Sequence, residues 1–123
     1  VSRPYITYFS AGPWPCVFGV APDEAAFDRE MKRIGIDVKD PFVPEGSDGA
    51  VHILLVDGIK TFVVCLNKRP RGAARAIGIG LAVHEATHVW QLSKAAMGEE
   101  TPGREIEAYA IQWITQCILS VVP

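Results

Sequence analysis

Apolar residues recur along this chain with two different periods, and each change of period marks an element. Residues 4–9 (PYITYF) read as a short strand, and Ala11-Gly12-Pro13 ends it. Trp14 to Val20 reads as a returning strand. From Pro22 the spacing becomes helical. Ala26, Phe27, Met31 and Ile34 form one stripe, Pro22 or Asp23 opens the helix, Lys32 and Arg33 fill its last turn, and Gly35 closes it. Residues 38–49 hold two prolines and two glycines and read as a surface loop. Two apolar runs follow, AVHILLV and IKTFVVCL, split by Asp57-Gly58. An Asp-Gly pair between β-branched runs is a strong hairpin signal, so strands are expected over 50–56 and 60–66. A long helix is expected over 73–97 with Gly98 as its C-terminal cap, and a last helix over 102–121, opened by Thr101 and Pro102.

This order predicts a single α+β domain over residues 1–123, a small antiparallel or mixed sheet with the helices segregated from it along the chain. The 123 residues are enough to bury a core without disulfide staples. Cys16, Cys65 and Cys117 are odd in number and widely spaced, with no CxxC, so they are expected as free thiols in a reducing compartment. The first residues lack the apolar stretch of a secretory signal, and the apolar run 111–122 is too short to span a bilayer. A cytoplasmic location without membrane contact follows as the expectation. The net charge of −2 gives no broad positive surface, so no nucleic-acid partner is expected. The basic run Lys68-Arg69-Pro70-Arg71 reads as a solvated connector.

The chemistry concentrates in HEATHVWQ, residues 84–91, which holds two of the chain's three histidines. On a helix, four residues turn through about 400°, so His84 and His88 lie one above the other and can grip one metal ion. Glu85 is one step round, beside the open coordination position, where a general base is needed. Neutral imidazole suits Zn²⁺, and H-E-x-x-H is a zinc-hydrolase signature. A catalytic zinc site takes a third protein ligand. His52 lies in a strand and reads as a structural histidine. REIEAYAIQ, residues 104–112, offers Glu105 in the first turn of the last helix, with Glu107 as competitor. The two glutamates point about 200° apart, so at most one faces the site.

HEATH followed by EIEAY resembles the zincin superfamily, and within it the gluzincins, whose third ligand is a glutamate on the following helix. The pattern E-x-x-[ASG]-[DN] of that family fits Glu105 with Ala108 as the small residue, while Tyr109 stands where an Asp or Asn supports a metal histidine. The offset reading from Glu107 also supplies a small residue. The likeness covers roughly residues 50–121 and is to the short, stand-alone zincin-like proteins of bacteria and phages. It implies one Zn²⁺ on His84, His88 and Glu105, Glu85 as general base, and a peptide or protein substrate held along a strand of the hairpin. Tyr109 reads as an oxyanion donor, as a hydrogen-bond partner to a histidine, or as a buried tyrosine with a local hydroxyl partner. Two other functions fit the same residues: an inactive zincin fold used as a binding or inhibitory module, and a zinc amidase acting on a small or cell-wall amide. Trp90 and Trp113 read as packing residues, Gly78 and Gly80 as points of close helix contact, and Gln91 as either a support to the site or a surface residue.

Overall fold

Asp57 and Gly58 turn the chain at φ 50° and 78°, the left-handed pair that matches the twist of two antiparallel strands. The computed structural model describes residues 3–12 and 15–122, so Trp14 lies outside the described residues. On either side of the turn, β3 (Gly49–Val56) and β4 (Ile59–Leu66) pair from Val56↔Ile59 to Gly49↔Leu66. The other side of β4 takes β2 (Val17–Val20) in parallel, from Val17↔Thr61 to Val20↔Val64. β1 (Thr7–Ser10) adds antiparallel to β2. The sheet is therefore mixed, in the order β1-β2-β4-β3, and β3 is an edge. It is not a purely antiparallel sheet set apart from the helices. A parallel neighbour requires a crossover, and α1 (Glu24–Ile34) lies within it, between β2 and β3.

The termini of α1 obey the sequence closely. Asp23 Oδ1 accepts from the Ala26 N–H at 2.8 Å, and Gly35 closes the helix at φ 74°. α2 (Arg75–Met97) follows a single 3-10 turn at Gly72–Ala74 and ends on Gly98, whose N–H meets the Ala95 carbonyl. α3 (Arg104–Val121) starts two residues later than the Thr101-Pro102 pair suggested, with Gly103 as its extended N-cap. The Glu99 N–H still bonds the Lys94 carbonyl, so residues 99–103 are needed to reverse direction.

Side-chain alternation divides the core in two. Phe18, Val20, Phe62, Val64 and Leu66 face α2 and α3, where they meet Ala82, Ala86, Val89, Trp90, Ile114 and Ile118. Val63, Cys65 and Leu54 face the other way, against Phe27, Met31 and Phe42. His52 belongs to this second layer. It is buried, donates from Nε2 to the Phe42 carbonyl at 2.9 Å and packs on the Phe27 ring, as a structural histidine should. The three cysteines are buried and unbridged. No helix among the described residues is long and apolar enough to cross a membrane.

Candidate metal centre

α2 lies on the sheet along one face only. Gly78, Ala82, Glu85, Ala86, Val89, Trp90 and Ser93 are its buried residues, so His84 and His88, on the opposite side, are exposed. The two imidazoles meet edge to face with ring centroids 4.8 Å apart, and their Nε2 atoms are 3.2 Å apart. Two nitrogens on one tetrahedral zinc ion, each at about 2.0–2.1 Å, stand roughly 3.3 Å apart. The spacing already present therefore fits a shared ion. With Glu85, whose Oε1 is 3.7 Å from His84 Nε2, the three side chains form a group able to hold a metal.

Glu85 is the unusual member. It is only 3% exposed, because its 100° step around the helix turns it from the solvent face toward the sheet. Gly49, the first residue of β3, makes the room: a Cβ there would stand 3.2 Å from Glu85 Cγ and 3.1 Å from Leu66 Cδ2. Among the described residues Glu85 Oε2 is buried with no hydrogen-bond partner, a costly condition for a polar oxygen. Burial raises its pKa above the usual carboxylate range, and the two histidines pull it back only in part.

α3 meets α2 through the second glutamate. Glu107 accepts from Trp90 Nε1 at 2.8 Å and from Lys94 Nζ at 3.1 Å, and these two donors hold its pKa below the usual range. Trp90 is thus both a core residue and a tie between the helices. Glu105, two positions earlier, lies about 200° round α3 from Glu107 and is exposed. Neither glutamate is in the group formed by His84, Glu85 and His88. Tyr109 is 64% exposed and lines an open groove of about 580 Å³ between α3 and the end of β1, beside Ala11, Ile106 and Trp113. No residue of α2 lines that groove.

The histidines carry one further contact. Gln91 Oε1 is 3.0 Å from His88 Nδ1. Its i, i+3 spacing from His88 was the available sequence signal, and the geometry makes it a partner of the site. The role of Gly49 had no signal in the sequence, since it depends on β3 passing beside α2. Comparison with known protein families, curated proteins and solved structures finds no match to this chain.

Proposed function

We propose that this protein is a zincin-type metallopeptidase that holds one Zn²⁺ ion between His84 Nε2 and His88 Nε2. The observation that carries the reading is the 3.2 Å spacing of those nitrogens beside the orphaned, buried carboxylate of Glu85. A divalent ion bound there would supply Lewis acidity, to acidify a water and polarise a substrate carbonyl. Glu85 is the general base. Its Oε1 lies 3.7 Å from His84 Nε2, and burial of the carboxyl strengthens it as a base. It takes a proton from the water as the water oxygen joins the carbonyl carbon. The C–N bond then breaks, and the leaving nitrogen receives the proton that Glu85 carried. Glu105 is the third donor the family resemblance implies; Glu107 is engaged by Trp90 and Lys94.

The substrate strand belongs along β3. The turn closes on Val56↔Ile59, so in alternation Val51, Ile53 and Leu55 direct their backbone groups away from β4 to the free edge. An extended peptide satisfies such an edge by backbone hydrogen bonds. Metal content of the wild type and of His88→Ala, with peptide hydrolysis by the wild type and Glu85→Gln, tests the whole reading. About one zinc per chain, lost in His88→Ala, with hydrolysis lost in Glu85→Gln, supports it. No metal after zinc is offered back ends it.

A second reading has its own support. Neither glutamate of α3 joins the histidines, and Ile106, Tyr109 and Trp113 present an exposed apolar stripe on that helix. These features suit a zincin-like fold serving as a binding module. Metal without turnover on any peptide or small amide would favour it.

A further inference from the structure

A histidine that is to bind an ion through Nε2 must carry its own proton on Nδ1. In water, neutral imidazole ordinarily prefers the other form, with the proton on Nε2. Something near Nδ1 must therefore accept a hydrogen bond if the ring is to be set in advance. In the family pattern an Asp or Asn on the next helix would do this. Here that position is Tyr109, which lines the groove between α3 and the end of β1, where no residue of α2 reaches.

We propose that Gln91 is the positioning residue of this centre: its side-chain carbonyl holds His88 as the Nδ1–H tautomer and reserves Nε2 as a lone-pair donor. The contact is Nδ1 to Oε1 at 3.0 Å, within one turn of the same helix. A carbonyl oxygen can only accept, so Nδ1 must be the donor. The neighbouring contact then has one solution. His88 Nε2 carries no proton, so across the 3.2 Å gap it is His84 that donates from its own Nε2. The two histidines are thus unequal. His88 is set for an ion, while His84 must move its proton from Nε2 to Nδ1 when an ion enters. His84 is 65% exposed along its side chain, so water can hold that proton.

Only the consequence for zinc rests on the metallopeptidase reading; the tautomer belongs to the metal-free chain. The experiment is therefore double. Long-range ¹H–¹⁵N spectra of the metal-free protein, recorded at pH 8 with labelled histidine, report the tautomer of each ring. Competition titration with a zinc chelator reports affinity. Wild type is expected to show His88 as Nδ1–H and His84 as Nε2–H. Gln91→Ala is expected to return His88 toward Nε2–H and to weaken zinc about tenfold, the lower end of what losing such a support costs. Gln91→Glu keeps an acceptor in place and is expected to restore both. His88 found as Nε2–H in the wild type would overturn the proposal. So would Gln91→Ala with an unchanged tautomer, or Gln91→Glu as impaired as Gln91→Ala. If the wild type takes up no zinc, the metallopeptidase reading falls, and the spectra alone still decide what Gln91 does.

Discussion

Glu85 sits one residue from His84, and that single step of the helix carries it from solvent to the edge of the core. The adjacency of His84 and Glu85 was plain in the sequence, as was the shared face of His84 and His88. That Glu85 would be buried with one oxygen unpartnered was not, because it depends on a glycine 36 positions earlier passing close by. On the peptidase reading, Glu85→Gln keeps the shape and removes the proposed base, so peptide hydrolysis is expected to fall on the order of 10²–10⁴-fold with zinc content unchanged. Steady-state rates beside elemental analysis check both halves. The two glycines of IGIG also separate at this scale. A Cβ at Gly78 would lie 2.6 Å from the Pro70 backbone, whereas nothing lies within 4 Å at Gly80. Gly78→Ala should destabilise by about 1–3 kcal/mol through overpacking. Gly80→Ala should stabilise by about 0.5–1 kcal/mol, the usual gain in a helix interior. Urea denaturation of the pair reads opposite signs, and equal signs would mean that the Pro70 contact is not what separates them.

Among the elements, α1 and the β3–β4 hairpin were the most legible, because their end signals are local: an aspartate at one end, a glycine at the other, and an Asp-Gly turn. β2 is shorter than its apolar run, and α3 starts late, because both boundaries answer to packing and chain reversal. The face of α3 was illegible for the same reason. EIEAY offers two glutamates of equal standing, and only the Trp90 and Lys94 contacts select Glu107 as the one that meets α2. β3 carries a different kind of information. Ile53 and Leu55 are 55% and 66% exposed on the sheet face that α2 shares, yet the strand has no charged residue. On the peptidase reading, these side chains meet every second residue of a bound peptide, so apolar residues are expected at those positions. Ile53→Lys or Leu55→Lys should weaken binding of an apolar peptide to the Glu85→Gln protein several-fold while leaving its melting temperature within a few degrees. Fluorescence anisotropy measures the first and calorimetry the second; unchanged affinity would place the peptide elsewhere.

At the scale of the whole molecule, the α+β class followed from the order of elements, but the parallel β2–β4 pairing did not. Nothing local to Val17–Val20 records a partner more than forty residues away. The layer on the far side of the sheet also has its own electrostatic tie. Glu30 is buried on α1, where the Arg33 guanidinium and the Tyr8 hydroxyl hold its carboxyl below the usual carboxylate range. Its folded pKa is depressed, so the stability it contributes is present above its unfolded pKa and lost as pH falls through the folded value. Arg33→Ala should therefore lower stability at pH 7 and lower it less at pH 3, below the usual carboxylate range. Denaturant midpoints at the two pH values check this, and an equal loss at both would exclude the ion pair as its source.

Both histidines belong to one turn of one helix, and this has a thermodynamic consequence. An ion raises the stability of a fold only by as much as it prefers the folded chain to the unfolded one. A pair of imidazoles four residues apart asks little more of the chain than a single helical turn, which an unfolded α2 can supply in part. Held by His84 and His88 alone, zinc should raise the melting temperature by only a few degrees even at saturation. A donor from α3 would add the helix-to-helix junction to what the ion must find assembled, and the shift would grow accordingly. Melting temperature against zinc concentration, for the wild type and Glu105→Ala, thus measures how far beyond α2 the centre extends.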